Sequence, residues 1–150
     1  MVHELADFER APEQCHLTVE QLRTALFAEH PALFGHVAVP KGTATAMGTA
    51  EPFGFALWFL NYSTWAGSHG IYLEDLYVRP EARGTGAGRA LLAELAAICR
   101  RRGYQRLDWW MLHWNPARDF YAAIGAQAMD AWLPYRLEGH SLQALADQAD

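Results

Sequence analysis

Apolar positions along the chain follow two periods. From Ala87 to Arg102, Leu91, Leu92, Leu95, Ala96 and Cys99 recur at helical spacing and predict a helix buried along one face. Its end, Arg100-Arg101-Arg102-Gly103, puts cations at the negative pole of the helix and a glycine just beyond. The triple arginine therefore needs no ligand to explain it. Upstream, Phe53 to Tyr62 and Gly70 to Val78 read as strands, antiparallel across a turn at 63–69. Phe34 to Val39, closed by Pro40, is a shorter strand, and Arg106 to Leu112 and Ala128 to Leu137 complete the set. Residues 3–9 read as the last turns of a helix. Thr18-Val19-Glu20-Gln21 fits a capping box for a helix that buries Leu22, Ala25 and Leu26. Asn115-Pro116 supplies an N-cap and first turn for a helix through Ile124, stopped by Gly125; Ser141 to Ala146 forms a terminal helix. Residues 41–51, rich in Gly, Thr and Ala, read as an exposed loop. The order predicts one mixed α/β layer, a single domain over residues 1–150.

Composition narrows the function classes. With 51% hydrophobic and 19% charged residues, the chain is of globular type. Twelve basic against 17 acidic residues leave a net charge of −5. Nucleic acid and anionic membrane surfaces call for clustered basic residues, so neither is an expected partner. A small cationic substrate is compatible with that charge. No stretch reaches the ~18 apolar residues of a membrane span and no signal peptide heads the chain, so a cytoplasmic protein is expected. Cys15 and Cys99 are isolated and read as reduced thiols, and the seven histidines lack ligand spacing, so no metal is expected.

Two stretches carry chemistry. Arg83-Gly84-Thr85-Gly86-Ala87-Gly88 lies between the strand ending at Val78 and the helix opening at Ala87. Its glycines permit positive φ and leave no Cβ in the way of a close ligand. Amides gathered at a helix N-terminus attract an anion, to which Arg83 adds a charge; a plain glycine-rich turn is the alternative. The second stretch, Glu74-Asp75, interrupts an apolar strand. Uncompensated carboxylates are costly there, and one of them could pair with an arginine across the sheet. Trp109, Trp110 and His113 read as strand residues with packing roles.

The glycine loop fits the Gln/Arg-x-x-Gly-x-Gly/Ala signature of the GNAT superfamily of N-acetyltransferases, and the chain resembles that superfamily along most of its length. Tyr72-Leu73-Glu74-Asp75-Leu76-Tyr77-Val78, Trp114-Asn115 with Phe120-Tyr121, Ile124-Gly125-Ala126, Glu29-His30-Pro31 and Glu4-Leu5-Ala6 are similar to its spermidine/spermine and thialysine N-acetyltransferase branch. The resemblance implies a mixed, mostly antiparallel sheet flanked by helices, splayed near Val78, and here lacking the family's first strand. It implies acetyl-CoA as co-substrate, held by Arg83, Gly84, Thr85, Gly86, Ala87 and Gly88 at its pyrophosphate. Leu76, Tyr77 and Val78 would pair with pantetheine through their backbone, and Asn115 and Tyr121 would contact CoA.

By the same resemblance Tyr121 is the acid that protonates the departing thiolate. Glu74 and Asp75 face the amine, Trp65 and Trp132 line its pocket, and Asp130 stands at an acidic substrate contact. These residue types suit the chemistry. An alkyl ammonium with a pKa near ~10 must lose a proton before it attacks, and Glu74 can draw it in and accept that proton. Ser63 stands where polyamine enzymes carry an acidic residue, which favours a short diamine or a lysine-like amino acid over a long polyamine. The implied protein is a homodimeric acetyltransferase for a small primary amine acting in a ternary complex. Acetylation of an antibiotic or a protein N-terminus, or a non-catalytic CoA-binding sensor or structural subunit, are the competing readings.

Overall fold

The computed structural model describes residues 1–42 and 50–149, so residues 43–49 of the expected 41–51 loop lie outside it. It divides into two compact units, Met1–Asn115 and Pro116–Asp150. The first unit holds α1 (Val2–Phe8), a 3-10 turn at Pro12–Gln14, α2 (Val19–Phe27), β1 (Phe34–Ala38), β2 (Gly54–Ser63), β3 (Ser68–Val78), α3 (Ala87–Arg102) and β4 (Leu107–Asp108). The second holds α4 (Arg118–Ala123) and α5 (Gly139–Ala146).

The strands form one sheet in the order β1-β2-β3-β4, antiparallel except for the parallel β3–β4 pair. Helices cover both faces, and the alternation along β2 explains why. Phe55 and Leu57 point to one side and join Tyr77 in a buried cluster, against which Val2, Leu5, Leu22 and Leu26 of α1 and α2 pack. The opposite side of the sheet carries buried Ala56, Trp58, Ile71 and Leu73. There α3 packs through Leu91, Leu92, Leu95 and Cys99, the positions its periodicity marks. Gly35 on β1 sits where a Cβ would come within 3.1 Å of the Leu57 side chain, so its smallness admits that cluster.

Local chemistry fixes the ends. The Thr18 hydroxyl accepts from the Gln21 amide at 3.2 Å while the Gln21 side chain accepts from the Thr18 amide at 2.8 Å, completing the capping box. Gly103 ends α3 in the left-handed conformation at φ 70°, and its capping N–H returns to the Cys99 carbonyl.

Three expectations are corrected. The strand over Arg106 to Leu112 shrinks to Leu107–Asp108, and Trp110 lies 61% exposed with its ring edge on Tyr72 rather than in a strand. The helix begins at Arg118 and not after Asn115, because a turn intervenes in which the Asn115 amide donates to the Leu112 carbonyl. Ala128 to Leu137 is not a strand. The Trp132 amide donates to Met129 in a turn, and Pro134 has no N–H to give a ladder.

Candidate active site

Glu74 and Asp75 share a cavity because β3 carries one residue too many. The β2–β3 register runs Leu57↔Asp75 and then Trp58↔Leu73, leaving Glu74 as a bulge without a partner. Strict alternation would send neighbouring side chains to opposite faces, and a bulge breaks it and re-aims them. Both now line one cavity of about 740 Å³, walled also by α1, the 11–17 connector and the start of α2. Glu9, the residue after α1, lines it too. Among the described residues no salt bridge engages any of the three carboxylates, so the arginine pairing across the sheet is not formed.

The electrostatics follow from that crowding. Burial pushes the Asp75 carboxyl up to about 6, and the charges of Glu74 and Glu9 add to the rise. Glu9 is also pushed above the usual carboxylate range by burial. A cation entering the cavity relieves both costs.

The glycine loop joins this sheet to α3. Gly84 and Gly86 have φ of 77° and 89°, values that L side chains rarely adopt, and nothing stands within 4 Å of where their Cβ atoms would lie. Gly86 is the N-cap of the sixteen-residue α3, and no side chain caps the first-turn amides. A loop with open space and uncapped amides at a long helix's positive end suits a pyrophosphate. The Thr85 hydroxyl donates to the Ala82 carbonyl at 2.7 Å and braces the turn. Arg83, although exposed, is engaged by its own chain: its Nε donates to the Val78 carbonyl at 3.0 Å, and its guanidinium lies 5.0 Å from the Phe8 ring centre. Beside the loop, β4 leaves β3 after the Tyr72–Asp108 pair, so the sheet opens earlier than Val78. Leu76, Tyr77 and Val78 lie on the part of β3 past that point.

The Acetyltransferase (GNAT) family matches residues 2–126. The chain belongs to that family. It is an N-acetyltransferase. It is similar to a thialysine N-epsilon-acetyltransferase of Bos taurus, 36% identical across 97% of this chain and 88% of the relative. An L-ornithine N5-acetyltransferase of Arabidopsis thaliana is 38% identical over 61% of this chain and 41% of its own. Among solved structures, an integron cassette protein from the mobile metagenome of V. cholerae superposes with a TM-score of 0.76 at 31% identity, over 97% of this chain and 86% of that one. GNAT acetyltransferases use acetyl-CoA as co-substrate.

The remaining expected site residues of this GNAT chain are distributed more widely. Trp65 is 90% exposed at the tip of the β2–β3 hairpin, ten residues from Asp75 in sequence and not among the cavity walls. Ser63 has a structural task there, its hydroxyl accepting from the Ala66 amide at 3.1 Å. Asn115 is half-buried at the end of the first unit. In the second unit Tyr121 is half-buried on α4 with its ring 5.2 Å from that of Phe120, and Asp130 and Trp132 are exposed in the segment after it. Glu9 is the residue that sequence reading missed. Its signal was faint: a charged residue just past a short helix looks like any solvated end.

Proposed function

We propose that the protein transfers acetyl from acetyl-CoA to the primary amine of a small cation, a diamine or polyamine or a lysine-like amino acid, by direct attack in a ternary complex. The carrying observation is the cavity at the β3 bulge, where Glu9, Glu74 and Asp75 converge without an arginine or lysine on its walls. Three carboxylates held together are destabilised by one another and stabilised by a bound ammonium. The names of the relatives support the reading, since thialysine and ornithine both carry a side-chain amine.

Each group then has a task. Asp75 and Glu9 hold the ammonium, and Glu74, the exposed member, accepts its proton through water. When bound, acetyl-CoA supplies the activated acetyl group. Residues Gly84 to Gly88 would hold its pyrophosphate, Asn115 would contact it as the resemblance implies, and the β3 backbone from Leu76 to Val78 would steady the charge developing on the carbonyl oxygen. Tyr121 gives its proton to the departing thiolate. Resemblance alone assigns Trp65, Asp130 and Trp132 to the amine site. The family likeness also carries a cytoplasmic homodimer, for which the exposed Met129, Trp132, Leu133 and Tyr135 offer apolar surface.

A mass-spectrometric screen of amines with acetyl-CoA tests the reading. Acetylated diamines or lysine analogues are expected. Acetylation confined to aminoglycosides or peptides, or CoA binding without acetylation of any amine, would overturn it. Tyr121→Phe is expected to lower kcat at least 100-fold with CoA affinity nearly intact, a typical cost for losing a general acid; an unchanged kcat removes Tyr121 from the mechanism.

A further inference from the structure

The cavity is not uniformly acidic. Residues 11–17 form a wall of different character, with Gln14, Cys15 and His16 lining the same space as the three carboxylates. That wall is tied down: the His3 ring donates to the Leu17 carbonyl at 2.9 Å, fastening the connector to α1. The capping box at Thr18 fixes its other end. His16 is the one cavity-lining side chain able to carry a positive charge, and no hydrogen bond or ion pair to a described residue occupies its ring. Even neutral, an imidazole keeps one N–H donor.

A simple diamine makes no use of such a wall. It presents ammonium groups and methylenes, which the carboxylates and the apolar side chains of Val2, Leu5 and Leu17 can satisfy. A lysine-like amino acid also brings a carboxylate, which Glu9, Glu74 and Asp75 repel and which needs donors away from them. Small-molecule sites commonly take this form, an apolar cavity with a few placed polar groups that set orientation.

We propose that His16, with Gln14 beside it, receives the α-carboxylate of an amino-acid substrate whose side-chain ammonium lies at Glu9, Glu74 and Asp75. The proposal rests on the amine-acetyltransferase reading and narrows it to carboxylate-bearing diamino compounds. His16 would set specificity and take no part in the chemical step.

Pairs of amines differing only in the carboxylate provide the test: lysine with cadaverine, and ornithine with putrescine, each assayed for kcat/KM with saturating acetyl-CoA. The wild-type enzyme is expected to favour the amino acid of each pair. His16→Leu should raise KM for the amino acids about tenfold, the usual scale for one hydrogen bond to a charged group, while leaving the diamines unchanged. His16→Gln, which keeps a donor, should restore most of the preference. His16 is exposed, so equal thermal melts for wild type and variants are expected and confirm an intact fold. Equal losses on both members of a pair, no loss on either, or a wild-type preference for the diamine would overturn the proposal. Wild-type enzyme that acetylates none of the four overturns the proposal, whereas acetylation of no amine in the wider screen overturns the amine reading beneath it; both results are visible before any variant is made.

Discussion

Replacing Asp75 by Asn removes a charge that the folded state holds at a cost. Its carboxyl is raised from 3.8 to about 6 by burial and by Glu74 and Glu9. A rise of that size converts to about 3 kcal/mol, and partial exposure of the side chain trims the expectation to about 2–3 kcal/mol. Below about pH 4 both folded and unfolded chains carry the neutral acid, and the term vanishes. Between about pH 4 and 6 the unfolded chain gives up its proton first, so native stability falls as pH rises; above 6 the loss is complete. Asp75→Asn should therefore be more stable than wild type by about 2–3 kcal/mol at pH 8 and by little at pH 4. Urea unfolding at the two values measures the difference. The same variant should bind amine more weakly, since the charge that burdens the empty protein is the one the ammonium neutralises. In the wild type, amine binding near pH 5 should release a proton, visible as buffer-dependent heat in titration calorimetry. An Asp75→Asn stability gain identical at pH 4 and pH 8 would refute the reasoning, because amide packing and not a displaced ionisation would then be its source.

Two further predictions concern the frame of the site. Leu95 is fully buried between α3 and the sheet, so Leu95→Ala should cost 2–5 kcal/mol by opening a cavity, measured as a lower urea midpoint; a change under about 1 kcal/mol would mean that face is loosely packed. Gly86→Ala meets no steric obstacle but must hold φ near 89°, a strain of about 1–2 kcal/mol, so CoA affinity should drop roughly tenfold or more by calorimetry. Unaltered affinity would show that the left-handed turn is not what presents the amides.

Helical and strand periodicities report different things, so a helix forms where its own residues mark it while a strand also needs a neighbour. α3 is found at Ala87–Arg102 as expected, because its apolar stripe, its basic last turn and Gly103 all act within one stretch of chain. β2 and β3 are also found within about two residues of expectation, since each carries buried apolar residues and they pair through a short turn. Ala128 to Leu137 has the same apolar richness and forms no strand. A strand depends on a neighbour that its own residues cannot specify, and a turn at Met129–Trp132 with Pro134 removes the regular ladder. Trp109 and Trp110 fail for the same reason once β4 stops at Asp108.

The site was legible where one residue type suffices for its task and hidden where position depends on the fold. Gly84 and Gly86 announce positive φ by being glycines, and the backbone adopts it. Glu74 and Asp75 stood out as carboxylates in an apolar strand, but alternation would have placed them on opposite faces. Only the bulge, created by a register slip between Leu57 and Trp58, turns both into one cavity. That cavity then needs a third wall from distant sequence, and Glu9 and His16 supply its charge and its donor from residues that read locally as a solvated helix end and loop. On the proposed function, amine preference would be set by the extra residue in β3 and by a connector of seven residues, 11–17. Closing the bulge by deleting Glu74 should restore regular alternation along β3 while removing one carboxylate and re-aiming the other, and amine KM should rise while CoA affinity, which the proposal assigns to the separate loop at Gly86, is unchanged.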